Sequence, residues 1–417
     1  SNATLEANQG KSLKTLSHLV PNLFIPDYGS HLTSAFYIRG VGSRINAPAV
    51  GMYVDNIPYL DKSAFDFNFM DVERVDVMRG PQGTLYGRNA MGGIVRVFTK
   101  NPFNYRGTEV KMGYSTGDNN RNVTVSHHHR LNDSFAFSAG GYYVGTDGFF
   151  KNDLTGKKVD GIQTVGGRLR GIYKANDRLT MDLSLNYDYC DEGAYPYYYA
   201  GSLTEKEPYA DYVGKISNNN ENRYRRNMLN TGLNISYDLG DVEIKSVTSF
   251  QNLCDRMFQD QDFLPRDIYT MVQRQRINTL TEEVTARSKH GAIWNWVGGL
   301  NVTKQWLRTE GPVTFGKDGV AMLEQNINSV LPENPPMSIN FRGESLRMGG
   351  IFETPMVNLG VFHQSVFNIT KALSLTAGIR LDYEKNSINY DTSSSVDYGF
   401  SMPGMRVDFQ DLTANIT

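Results

Sequence analysis

Residues 71–100 read DVERVDVMRGPQGTLYGRNAMGGIVRVFTK, and the reading of this stretch decides the fold. Two strand-like runs, 74–78 and 94–99, flank a segment that carries Gly80, Gly83, Gly87, Gly92 and Gly93. Glycine at that density predicts backbone that turns with positive φ or lies too close to a neighbour for a Cβ. A phosphate-cradling loop would need Gly-Lys-Ser/Thr at the mouth of a helix, and none is present. The Gly-x-Gly-x-x-Gly spacing of a dinucleotide fingerprint is absent as well. An ordinary glycine-rich turn satisfies the local pattern, so the flanking sequence must decide.

Upstream lie FYIRGVG at 36–42 and VGMYVDNIP at 50–58. In this order and spacing, the three pieces resemble the plug domain of TonB-dependent outer-membrane receptors. The plug motif then comprises Gly40, Gly80, Pro81, Gly83, Gly87, Gly92 and Gly93. The resemblance implies an α+β plug domain over residues 4–104. Antiparallel transmembrane β-barrel strands would follow over 105–417.

Bulk properties agree with such a chain without requiring it. The 417 residues carry 42 basic and 44 acidic side chains, so no basic excess argues for nucleic acid. Mean hydropathy is −0.43, and no run of 18 or more apolar residues marks a membrane helix. Barrel strands alternate lipid-facing and lumen-facing residues, so low mean hydropathy does not exclude an outer-membrane barrel. The 24 Tyr, 21 Phe and 40 Gly suit aromatic girdles and tight turns, although a soluble all-β protein shares that composition. Cys190 and Cys254 have no metal-ligand spacing, and they fall on the fifth and seventh barrel strands. With a strand between them they are too far apart to bridge, so two free thiols and no metal centre are expected.

Ser1-Asn2-Ala3 resembles a tag-cleavage scar and is set aside. Leu13, Leu16, Leu19 and Val20 give an apolar face at helical spacing, ended by Pro21. Short strands are predicted at 35–39, 51–54, 75–78 and 94–98. The resemblance implies a TonB box and a first plug strand ahead of these, and neither is legible here.

From about residue 107 the period becomes two. Leu179, Met181, Leu183, Leu185, Tyr187 and Tyr189 oppose Thr180, Asp182, Ser184, Asn186 and Asp188. A lipid-facing barrel and a soluble sandwich both select that alternation. Link lengths separate the two. Short turns at 132–133, 176–177, 240–241, 289–291 and 371–372 alternate with long links at 147–161, 193–227, 259–269 and 310–351. Short periplasmic turns and long extracellular loops predict this asymmetry. About twelve strands are legible, whereas the resemblance implies a 22-stranded barrel. A fragment lacking about ten strands is therefore expected, since open edges are costly in lipid.

The resemblance also implies that the arginines of Ile-Arg-Gly and Arg-Gly-Pro, here Arg39 and Arg79, latch onto wall carboxylates. Alternation over 279–287 puts Glu283 on the lumen side and Glu282 outside, so Glu283 is the expected partner. His127 and His129 share one strand face and His128 takes the other, so the three cannot converge on one ion. Tyr195, Tyr197, Tyr198 and Tyr199, in AYPYYYAGS at 194–202, offer flat amphipathic surface for a ligand. An interfacial aromatic girdle uses tyrosine equally well. Arg223, Arg225 and Arg226 close the same loop, either as solvated charge or as attraction for an anion. Asp255, Asp260 and Asp262 lack calcium-loop spacing, and no nucleophile elbow or His-Glu-x-x-His argues for catalysis.

The expected protein is a non-enzymatic outer-membrane receptor that imports a scarce ligand with energy from the TonB complex. An iron complex, siderophore or haem, is the first choice, with cobalamin or an oligosaccharide as alternatives. A passive porin and a non-transporting surface binder are rivals from other classes. No cofactor is expected. The expected partners are TonB, the ferric ligand and outer-membrane lipid.

Overall fold

A computed structural model describes residues 2–8, 12–44, 47–202, 207–289, 293–333, 336–395, 398–402 and 405–409. The turn expected at 289–291 therefore falls partly outside the described residues.

The first hundred residues build a small α+β body. Its sheet contains β1 (Val50–Val54), β2 (Ile57–Tyr59), β3 (Val72–Arg79) and β4 (Gly93–Thr99), ordered β2-β1-β4-β3. Strands β1 and β4 run parallel, and the other pairs are antiparallel. Gly93, at φ 149°, begins β4 where a Cβ would strike the Met78 carbonyl, so side-chain-free backbone is required there. Gly83 meets nothing; it opens the short helix Gly83–Tyr86. Ile38, Val50, Phe65 and Val95 are fully buried in this body's core. The predicted strand at 35–39 shrinks to Tyr37–Ile38, because Arg39 and Gly40 turn through φ 53° and 80°. The expected apolar helix is a 3-10 turn at Leu13–Thr15 followed by an α-turn at Leu16–Leu19. Residues 2–7, partly set aside as a scar, form a helix whose Glu6 pairs with Lys111.

A wall follows of long antiparallel strands. In order these are β5 (Gly107–Ser115), β6 (Asn120–Arg130), β7 (Phe135–Thr146), β8 (Ile162–Lys174), β9 (Leu179–Gly193) and β10 (Arg223–Asp238). Next come β11 (Val242–Asp260), β12 (Tyr269–Ser288), β13 (Trp294–Glu310), β14 (Leu346–Asn368) and β15 (Ser374–Asn386). Two short pieces, Val313–Phe315 and Asn389–Ser395, continue β13 and β15 beside β14, giving a 13-stranded sheet. Strands Ser338–Phe341, Tyr398–Met402 and Met405–Phe409 form a separate three-stranded sheet.

Side-chain polarity fixes which way the wall faces. Leu183, Leu185 and Tyr187 are exposed at 54, 40 and 43 %, whereas the interleaved Ser184 and Asp188 are at 1 and 5 %. Val123, Val165, Leu169, Leu300, Val361 and Leu381 are likewise exposed. A soluble sandwich would bury the aliphatic set; a wall with lipid outside and polar groups inside inverts it. No described helix is long and apolar enough to cross a membrane, a statement that concerns helices alone.

The short turns are capped from within. Asn132 Oδ1 accepts from the Ser134 and Phe135 amides, and Asn176 Oδ1 from Arg178 and Leu179. Thr370 Oγ1 does the same for Ala372 and Leu373. Such side-chain caps satisfy turn amides locally and fix a tight reversal. The opposite rim carries the long links, including the helix Lys317–Val330, tied by Asp318 to Arg266. One link on that rim, 116–119, is itself a tight turn, so the alternation in length is not strict.

Candidate functional site

The small body packs against the polar inner face of the wall, and around Asp55 the charges at that seam run opposite to the sequence expectation. Asp55 stands in the β1–β2 turn with φ 48°, and its carboxylate is 5 % exposed. It accepts from the Thr99 amide at 2.9 Å and the Thr99 hydroxyl at 2.8 Å. Arg168 of β8 pairs with the same carboxylate, and Arg170 Nη1 lies 3.8 Å from it. Burial alone would raise this carboxyl, but Arg168, Arg170 and the Thr99 bonds hold it below its ordinary value. Arg170 also grips Asp182 through two bonds of 3.0 and 2.7 Å. Further along, fully buried Arg226 donates to the Ser63 and Asp66 carbonyls at 2.5 and 2.8 Å and to Asp188 at 2.6 Å.

Toward the long-loop rim, the body and the wall enclose a chamber of ≈ 830 Å³. Its floor offers Arg44 and Lys62 from the small body beside Asp61, with Arg88 also lining it but paired with Glu384 at 3.4 Å. Asp61 is committed elsewhere, since its Oδ1 caps the 3-10 turn Lys62–Ala64 through the Ser63 amide at 2.9 Å. Partial burial, reinforced by Arg44, pushes the Lys62 ammonium below its ordinary value. The walls add aromatic and amide groups, among them Tyr195, Tyr197 and Phe263 with Gln259, Gln273 and Gln275. Tyr197 is fixed by donating to the Tyr28 carbonyl at 2.7 Å and packing against Phe263 at 5.9 Å. A cationic floor under aromatic and amide walls suits a bulky, oxygen-rich anion.

Residues 1–94 match the family described as TonB-dependent Receptor Plug Domain. Over 108 residues the chain is 38 % identical to the pesticin receptor of Yersinia pestis. Residues 1–94 carry the TonB-dependent receptor plug domain. The pesticin receptor match spans 25 % of this chain and 16 % of the relative's length. The vitamin B12 transporter BtuB of Vibrio vulnificus is 29 % identical over 164 residues, 36 % of this chain and 25 % of that protein. Among solved structures, the ferric yersiniabactin uptake receptor FyuA from Yersinia pestis superposes with TM-score 0.74 at 20 % identity. That superposition covers 98 % of this chain and 58 % of FyuA. The ferripyoverdine receptor of Pseudomonas aeruginosa gives 0.64 at 13 %, covering 98 % and 52 %. The chain thus spans little more than half of these solved receptors, and the small body is the plug.

The fold distributes the sequence-named residues unevenly. Arg39 and Arg79 are exposed, and Arg79 donates to the Pro21 carbonyl at 3.1 Å. Among the described residues no ion pair joins either of them to Glu283. Glu283 lines a small cavity with Tyr53 and Arg88, and its charge neighbours are Arg96 and Arg380. Glu282 faces the other way, bonded to Ser246 at 2.6 Å and to Thr248. The Ile-Arg-Gly and Arg-Gly-Pro turns lie on a plug side that the described wall leaves exposed. Wall arginines on plug Asp55 and on plug carbonyls form one part of the seam, and plug Arg88 pairs with wall Glu384 at 3.4 Å in another. Of the plug glycines, Gly87 turns at φ 65° under the Arg380 guanidinium, and Gly40 and Gly80 also have positive φ. Gly92 meets the Val41 carbonyl, and Pro81 lies between Gly80 and the helix at Gly83.

Tyr195 and Tyr197 line the chamber, whereas Tyr198 is 57 % exposed. Tyr199 donates to Glu207 at 3.1 Å and packs edge-on to Tyr209. The Ser202 amide, with the Tyr209 amide and the Tyr199 hydroxyl, holds Glu207 below its ordinary value, so Tyr199 belongs to a loop-internal cluster. Arg223 and Arg225 bind Asp191, and Arg226 turns inward. His127 and His129 stack at 5.8 Å on one face, while buried His128 looks inward to Asp71 at 3.7 Å. The glutamines escaped the sequence reading, although Gln259-x-Gln261 and Gln273-x-Gln275 repeat at strand spacing on the lumen side. Both cysteines are free, but Cys190 does not stand alone: its Sγ lies 3.7 Å from His31 Nδ1.

Proposed function

We propose that the chain forms the plug and part of the barrel wall of an outer-membrane receptor that imports an anionic iron complex with energy from TonB. The chamber carries this reading, because Arg44 and Lys62 form a positive floor within reach of Tyr195, Tyr197 and Phe263. Ferric siderophores present negative charge and flat or heteroatom-rich arms, which such a surface recognises through charge-assisted hydrogen bonds and ring contacts. The similarity to FyuA and to the ferripyoverdine receptor supports the same cargo class.

Equilibrium titration of the receptor in micelles with ferric yersiniabactin, ferripyoverdine and a ferric catecholate tests the reading, with binding read by tryptophan fluorescence. At least one should saturate, and Arg44→Gln should weaken it about tenfold or more, the scale of one charge-assisted bond. Saturation by cyanocobalamin alone would assign the cobalamin alternative, which the likeness to BtuB keeps in view. No saturation by any of the four would refute both.

A further inference from the structure

Where the plug meets the upper part of β9, three donor atoms of different chemistry converge. His31 Nδ1 lies 2.6 Å from Glu192 Oε2 and 3.7 Å from Cys190 Sγ. All three donors fall within 4.8 Å of one another. Cys190 and Glu192 are two apart on a strand, so both face the plug, and both are buried, at 0 and 3 % exposure. The far nitrogen of the imidazole, Nε2, faces Asp66 Oδ2 at 3.8 Å. Glu192 Oε1 is anchored separately by the Ser30 hydroxyl at 3.0 Å and the His31 amide at 2.7 Å.

We propose that His31, Cys190 and Glu192 form a site for a divalent transition ion of the zinc class, which ties the plug to the barrel wall. The bland alternative is a histidine–carboxylate hydrogen bond with a buried thiol packed beside it. That account explains only one contact, because a single Nδ1 proton serves Glu192 and leaves the thiol beside it without a role. An ion uses all three atoms at once. Nitrogen, sulfur and oxygen in one set of three protein ligands match zinc sites that keep a fourth position open. Thiolate and imidazole together select against calcium and magnesium. Around a tetrahedral ion with bonds of ~2.0–2.3 Å, neighbouring ligand atoms stand about 3.3–3.8 Å apart. The sulfur–nitrogen separation already fits, and Nδ1 and Oε2 need to part by less than about 1 Å. Asp66, paired with Lys14 at 3.0 Å, stands 3.8 Å behind Nε2, on the side from which a carboxylate orients a metal-bound imidazole.

One ligand comes from the plug and two from the wall, so the ion acts as a cross-link. Bound to the docked state alone, it stabilises docking in proportion to the logarithm of its concentration over its dissociation constant. The site lies apart from the chamber floor and does not depend on which ligand the receptor imports.

Cobalt(II) titrated into the full chain, folded in micelles, provides the test. Wild type should bind one Co²⁺ per chain with a thiolate-to-cobalt charge-transfer band and the intense visible bands of a four-coordinate ion. Zinc should abolish both. Cys190→Ser should lose the charge-transfer band, and His31→Ala should weaken binding at least tenfold. Cys254→Ser should change nothing, because Cys254 lies on another strand, bonded to Asn252. Absence of the band in folded wild type at millimolar Co²⁺ overturns the proposal whatever the variants do. So does a band that survives in Cys190→Ser or vanishes in Cys254→Ser.

Discussion

Asp55 illustrates how much one residue can organise. It sits in the VGMYVDNIP piece, accepts twice from Thr99 and draws two wall arginines onto the plug. Removing one partner of a buried pair leaves the other charge uncompensated, at a cost of about 3–5 kcal/mol. Arg168→Ala should therefore loosen the plug by that order, read as faster amide exchange over Val50–Val54 than in wild type. An unchanged exchange rate would mean that Arg170 alone suffices. The pH sign follows from the lowered carboxyl. A depressed folded value contributes stability above the unfolded value of 3.8 and loses it as pH falls through the folded value. The Asp55 contribution to plug docking should thus hold steady from neutral pH to ~4 and weaken only below, and Asp55→Asn should remove that acid limb. The sequence legibly placed Asp55 in a family motif. Its partners were not legible, because Arg168 and Arg170 lie 113 and 115 positions away on a strand whose inward phase is indistinguishable from that of any polar wall.

At the scale of elements, the hairpin of β1 and β2 is keyed into the wall through its side chains. Ile57 fills the space over Gly232 of β10, where a Cβ would collide with its δ-methyl. Asn234 on the same strand donates to the Asp55 carbonyl at 3.3 Å. Gly232→Val should push the hairpin off the wall at a cost of roughly 1–3 kcal/mol, the usual penalty for overpacking. A lower midpoint in plug-specific proteolysis, with the wall strands unaffected, would record it; an unmoved midpoint would show that the wall yields instead. The strands themselves were readable because period-two alternation is written in every wall segment from residue 107 onward. Glu283 was placed by the same phase, but its neighbours were not. Which plug side chain faces a given rung depends on how the plug is rotated in the barrel, and no local pattern encodes that angle.

For the whole molecule, the inverted polarity of the wall is the governing feature. Trp294 and Trp306 are exposed on the outer face with Leu300 and Val302 between them. In bilayers, brominated lipid should quench their fluorescence strongly while aqueous iodide quenches it little; the reverse would mean that the aliphatic face is not in lipid. The alternation and the link lengths by themselves determined a run of antiparallel strands, because each is set by local backbone geometry and by the solvent on either side; the plug was legible only through the resemblance of the three ordered motifs. The tertiary structure alone decided the seam, the chamber and the His31–Cys190–Glu192 cluster. Each joins residues more than a hundred positions apart, and their meeting depends on the depth and rotation at which the plug sits in the wall, a long-range geometry that no spacing along the chain records.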